Sequence, residues 1–252
     1  QYSLGELYEQ TKNYDLAVLS FSRIPRESAL WPLAQLRRSF DLSIINRIDE
    51  AKTILKELVQ HYPDDMRPAY ALANLYRGNK ECKEAIPYFT MALQKLPKPE
   101  KVHWALYYGR GVCYERTKDW AKAEADLKKA LELDENQGLT LNYLGYVWID
   151  QNINLKEGMA LVSKALEKTP DDGYYRDSLG WGYFRLKDYT RAVSELERAV
   201  VTRPDDPTIN DHLGDAYWEV GRKLEAKFQW KQALDLKPEP EEEAKIKAKL
   251  EK

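Results

Sequence analysis

Along the chain, Leu-Gly pairs return with an aromatic residue three positions after the glycine: Leu4-Gly5 with Tyr8, Leu144-Gly145 with Trp148, Leu179-Gly180 with Tyr183, and Leu213-Gly214 with Tyr217. The last two copies are 34 residues apart, and the same offset carries Ala192 to Ala226, Leu196 to Trp230, Ala199 to Ala233 and Pro204 to Pro238. This order of apolar, small and polar positions predicts two helices and a short turn per period. Small residues such as Gly180, Ala192 and Ala199 let the two backbones approach. Tyr8, Tyr76, Tyr114, Trp148, Tyr183 and Tyr217 fall on the inner face of each first helix and pack against the second. Pro63, Pro97, Pro170, Pro204 and Pro238 stop the second helices, since proline has no N–H to continue them. Three of these prolines open a Pro-Asp-Asp turn (63–65, 170–172, 204–206), whose aspartates are suited to cap the next helix. A lone hairpin cannot bury its apolar face, so the core must come from stacking of neighbours.

The order resembles the tetratricopeptide repeat (TPR) family. The resemblance implies an all-α, right-handed superhelical solenoid of about seven helix-turn-helix repeats with a C-terminal capping helix. In that frame the repeats are 1–31, 32–65, 66–99, 104–137, 138–172, 173–206 and 207–240, with an insert at 100–103 and a cap at 241–252. In the cap, Glu241–Lys245 and Glu243–Lys247 are paired one turn apart, and Ile246 and Leu250 share a face that covers the last repeat. Repeat one opens inside its first helix, which gives the expectation that further repeats precede it. Repeat five departs from the pattern. Asp150 to Asn154 lengthen its turn by one residue, and Gly158 stands where alanine is usual, so a locally looser stack or a changed superhelix pitch is expected.

Composition narrows the function. Lys and Arg total 39 against 41 Asp and Glu, a net charge of −2, which excludes a strongly basic nucleic-acid surface. No run of 18 apolar residues is present, so no membrane span is expected. The three histidines, His61, His103 and His212, have no ligand spacing. Gly109 and Gly111 lie on a repeat helix, not in a phosphate loop. The sequence therefore offers no catalytic residue, no metal site and no cofactor. Cys82 and Cys113 fall at helix ends that an antiparallel stack makes neighbours, so a disulfide and a pair of buried thiols are both open readings.

In the TPR family the binding surface is lined by the first helices. Carried onto this chain, that implies a partner-binding groove of Tyr2, Phe40, Tyr70, Asn74, Tyr108, Asn142, Tyr146, Asp177, Trp181, Phe184, Asp211, Asp215 and Trp218. Its aromatics suit hot-spot contacts, or else pack across adjacent repeats. Its C-terminal end gathers Asp177, Asp211, Asp215 and Glu219, which favours a neutral or basic ligand. The positions where chaperone-binding TPR domains clamp a terminal carboxylate carry no matching set, so no such clamp is expected.

The implied function is non-enzymatic: a scaffold or adaptor binding another protein or peptide segment. The runs Asn142–Gln151 and Pro207–Trp218 resemble a subgroup of bacterial TPR proteins that includes cell-envelope members. Some periplasmic TPR proteins deliver substrates to carboxyl-terminal processing proteases. That resemblance favours the periplasm or the outer membrane over the cytoplasm, although two lone cysteines suit an oxidising compartment less well. Two alternatives stand: a self-associating homo-oligomer, and the helical part of a larger enzyme.

Overall fold

The computed structural model describes residues 1–251, which form two compact units divided between Asp134 and Glu135. The N-terminal unit holds α1 (Tyr2–Gln10), α2 (Tyr14–Ser22), α3 (Trp31–Ile44), α4 (Ile48–His61), α5 (Met66–Gly78), α6 (Cys82–Gln94), α7 (Trp104–Arg116) and α8 (Trp120–Leu133), with a 3-10 turn at Lys101–His103. The C-terminal unit holds α9 (Gly138–Asp150), α10 (Leu155–Lys168), α11 (Gly173–Arg185), α12 (Tyr189–Thr202), α13 (Pro207–Glu219), α14 (Lys223–Asp235) and α15 (Pro240–Leu250). Within each unit, successive helices pack as hairpins, and each hairpin packs on the next.

The turns inside the hairpins share one mechanism. After the first helix the chain passes through a left-handed residue: Lys12, Asn46, Lys80, Lys118, Asn152, Lys187 or Gly221. The N–H that follows reaches back to the carbonyl of the recurrent large side chain, as in Asn13 to Tyr8 (2.8 Å), Glu81 to Tyr76 (2.9 Å), Asp188 to Tyr183 (2.9 Å) and Arg222 to Tyr217 (2.9 Å). This is a Schellman closure, which satisfies a carbonyl that the helix end would leave free. Only Gly221 adopts it without a Cβ penalty; the other six turns carry strain of about 1 kcal/mol each. Turns between the other hairpins are closed by the second aspartate of each Pro-Asp-Asp run. Asp65 accepts from Arg67 N (2.9 Å), Asp172 from Tyr174 N (2.9 Å) and Asp206 from Thr208 N (2.9 Å).

Repeated small residues seat large ones. A Cβ on Gly5 would meet Phe21, and one on Gly109 would meet Phe89, each at 2.5 Å; one on Gly214 would meet Trp230 at 2.4 Å. The extra residue between α9 and α10 is absorbed by a second left-handed asparagine, Asn154. Gly158 corrects the expectation of a looser stack. A Cβ there would sit 2.8 Å from Gly145 O, and one on Gly145 would sit 2.6 Å from Gly158 O, so the two helices cross backbone on backbone. Gly158→Ala is expected to cost about 1–3 kcal/mol in a denaturant titration, because the clash falls on backbone that cannot rotate away.

The cap α15 begins at Pro240, with proline in its first turn, and buries Ile246 to 1% exposure against the last hairpin. Leu250 packs there too, and Glu241–Lys245 (2.9 Å) and Glu243–Lys247 (2.5 Å) are formed. The last residue of the expected cap, Lys252, lies outside the described residues. Cys82 and Cys113 are buried free thiols in mutual contact at the meeting of α6 and α7. Their hydrogen bond and burial push Cys113 well up.

Candidate functional site

In the N-terminal unit the first helices α3 and α5 face each other across a cavity of about 840 Å³. Its walls are Leu36, Phe40, Tyr70, Asn74 and Leu75, and Ile48 and Leu55 of α4 contribute from below. Three of the sequence-derived groove residues, Phe40, Tyr70 and Asn74, are thus brought together. Phe40 is 64% exposed, a large apolar ring held in water. Tyr70 tilts on Phe89 at 6.2 Å, which fixes its ring as a wall. Asn74 is oriented by Tyr70 O and by Arg77, each at 3.2 Å. Tyr2 and Tyr108 stand apart from this cavity. Tyr2 packs on Phe21 (5.6 Å) under the Arg37 guanidinium. Tyr108 tilts on Trp104 (5.8 Å), and burial pushes its phenol up.

The C-terminal unit uses its groove positions differently. Trp181 is 9% exposed and lies between two stacked rings, Phe184 at 4.7 Å and His212 at 4.1 Å. Tyr146 packs into the same cluster as Ile149 and Val162. Trp218 tilts on Trp230 (5.3 Å) beneath the Lys223 ammonium. The Trp181–His212 contact crosses from one hairpin to the next, whereas Trp181–Phe184 lies within α11 and Trp218–Trp230 within the α13–α14 hairpin. Asn142 is half-buried, and its Oδ1 meets no donor.

The expected acidic end is corrected by its counter-ions. Asp177 takes His212 Nδ1 at 2.8 Å, and Lys249 of the cap reaches both Asp211 (2.8 Å) and Asp215 (2.7 Å). Asp215 also accepts from Trp230 Nε1 at 3.0 Å. Three of the four carboxylates are therefore spent inside the fold. His212 and Lys249 were not among the sequence candidates. Lys249 stands 34 residues beyond Asp215, so a comparison of that acid with the position one repeat later would have found it. His212 stands 35 beyond Asp177, one residue past the equivalent position, and carries no such signal.

Among the described residues, no group of three His, Cys, Asp or Glu side chains is arranged to hold a metal ion. No helix there is long and apolar enough to cross a membrane.

Family models described as tetratricopeptide repeat match residues 45–99, 104–137 and 208–240. A TPR repeat-containing protein of Pseudomonas aeruginosa is 28% identical over 215 residues, covering 85% of this chain and 35% of that protein. Superkiller complex protein 3 of Mus musculus is 25% identical over 232 residues, 76% of this chain and 15% of that protein. The chain thus spans about a third or less of these relatives' length. Among solved structures, a TPR protein from Parabacteroides merdae aligns with a TM-score of 0.77 at 16% identity, covering 96% of this chain and 94% of that one. YrrB, a TPR protein with an unusual peptide-binding site, aligns with a TM-score of 0.58 at 20% identity over 73% of this chain and 93% of that one.

Proposed function

Because the chain is a tetratricopeptide repeat protein, we propose that it is a non-enzymatic scaffold or adaptor holding a segment of another protein between α3 and α5. The observation that carries this is Phe40, 64% exposed on the wall of a cavity of about 840 Å³. An apolar ring kept in water costs solvation that only an occupant recovers. Leu36, Leu55, Tyr70 and Leu75 supply the complementary apolar lining for a side chain of that occupant. YrrB, similar in fold, has a peptide-binding site, which supports a peptide segment as the ligand. The binding site proposed here is narrower than the thirteen groove positions of the sequence. It keeps Phe40, Tyr70 and Asn74 and leaves the C-terminal rings to packing.

The finer reading is an adaptor of the bacterial envelope that brings substrates to a carboxyl-terminal processing protease. It rests on the runs 142–151 and 207–218, which resemble envelope members of the family, and a relative from Pseudomonas aeruginosa is consistent with it.

The test uses the intact chain and its Phe40→Ala variant as baits, followed by titration of the retained segment as a synthetic peptide. Loss of this ring is expected to weaken the peptide about 10- to 100-fold. Stability should stay within about 0.5 kcal/mol, because the ring is largely solvated already. Equal affinity for both baits would remove the α3–α5 site. The adaptor reading further requires a protease of that class among the proteins retained; its absence leaves a scaffold only.

A further inference from the structure

Beside the α3–α5 cavity lies a second one of about 370 Å³. Leu36 and Phe40 line both, so Phe40 is the partition between them. The remaining walls of the smaller cavity are Glu9, Tyr14, Arg37 and Asp41.

Asp41 is the anomaly. It is 0% exposed, and neither Oδ1 nor Oδ2 meets a donor. At the same step of the other repeats stand Leu7, Leu75, Cys113, Val147, Gly182 and Ala216, all apolar or small. A carboxylate at an interior position of the repeat, whose hydrogen-bonding neighbour is another carboxylate, Glu9, and which no N–H reaches, destabilises the fold. The obvious counter-ion, Arg37, lies one turn back but is taken. It bonds Glu9 through Nε (3.0 Å) and Nη2, Glu6 through Nη1 (2.6 Å) and the Tyr2 hydroxyl (3.3 Å). Three carboxylates thus surround one guanidinium, and the cluster is short of positive charge.

Resting on the α3–α5 reading, we propose that this second cavity receives a basic side chain, Lys or Arg, from the same partner segment. Asp41 and Glu9 are its acceptors, and the Tyr14 and Phe40 rings flank its stem and charge. A cation beside aromatic faces and carboxylates is favoured by both. An apolar residue of the segment then fills the larger cavity and a basic one the smaller, with Phe40 between. In the empty protein, burial and the Glu9 carboxylate push Asp41 up to about 7, so near neutral pH the site is shared between its protonated and charged forms, and the cation selects the charged one. Where Asp41 is protonated, its O–H proton leaves to solvent, and no other covalent bond changes.

The experiment selects a phage-displayed library of random dodecapeptides on the intact chain, then titrates the winning peptide and its norleucine substitute. The expected result is a Lys or Arg fixed at one distance from an apolar position. The norleucine peptide should bind about 10- to 100-fold more weakly, as expected when one partner of a desolvated charge pair is lost. Asp41→Asn should narrow the difference between the two peptides, leaving the share that Glu9 holds. Selected peptides without a fixed basic residue, or a norleucine peptide that binds equally, would overturn the basic pocket and leave the α3–α5 site standing. A library that yields no peptide sensitive to Phe40→Ala would overturn both. Should Asp41→Asn fail to fold, the norleucine comparison on the unmutated chain decides alone.

Discussion

Trp230→Ala is expected to remove about 3–5 kcal/mol from the stability of the C-terminal unit. The indole is 1% exposed, the largest fully buried side chain among the described residues. It occupies the seat left open by Gly214, whose absent Cβ would otherwise stand 2.4 Å from Trp230 Cδ1. Leu196, Leu213, Tyr217 and Ile246 surround it, so its loss leaves a cavity touching α12, α13 and α15 together. The backbone cannot close that gap, because the Gly214 seat already brings α13 and α14 into near contact. The polar part of the loss is smaller. Asp215 would lose the indole N–H but keep Lys249 at 2.7 Å, so no buried charge is orphaned. Hydrogen exchange should show the loss first in α13 to α15, since each hairpin of a repeat stack depends chiefly on its neighbours. Trp230→Phe, which keeps a ring in the seat, should cost clearly less. A loss under about 1 kcal/mol for the alanine variant would mean that the seat does collapse.

That seat is also where the sequence was most legible. Leu-Gly, the aromatic three residues on and the large residue of the next helix are local features repeated many times, and each copy reports the same crossing. The caps were equally readable, because Pro-Asp-Asp carries its own stop and start. The left-handed turn residues were not. Lys12, Lys80, Lys118 and Lys187 look like surface lysines, and the strain they carry is set by the three-residue turn. Whether a groove ring is open or packed was not legible either, because it depends on the ring one repeat later. Trp181 is buried because His212 and Phe184 lie against its two faces, whereas Phe40 stands 64% exposed. Both are aromatic residues at the same repeat position, and only the neighbours separate a core from a binding surface. Asp41 had a readable signal, an acid where every other copy is apolar or small, but it becomes visible only when the repeats are compared column by column.

The pairing of Asp177 with His212 leads to the second large effect, a loss of stability of about 3 kcal/mol as pH rises from about 6.5 to above 9. His212 is 7% exposed, with its ring against Trp181 and Nδ1 on Asp177 Oδ1. Burial alone would lower its pKa. The carboxylates of Asp177, Asp211 and Asp215 outweigh burial and raise it to about 9. The folded protein therefore holds this proton more tightly than the unfolded chain does. The sign follows from linkage. The stabilisation is complete below the unfolded value near 6.5 and is lost progressively as pH climbs through about 9, at up to about 1.4 kcal/mol per pH unit. Other groups titrate in that range, so the measurement is a difference. Denaturation midpoints across pH 6 to 10 are compared for the protein and for Asp177→Asn, which keeps the shape of the side chain and removes its charge. The variant should show a flatter decline above pH 6.5, because its histidine no longer gains a proton on folding, and the two curves should draw together at high pH. The imidazole resonance of His212 should titrate near 9 in the protein and lower in the variant. Parallel stability curves, or a resonance that titrates at the same pH in both, would show that the proton is shared equally by the folded and unfolded chains and that the ion pair is not what holds α11 to α13.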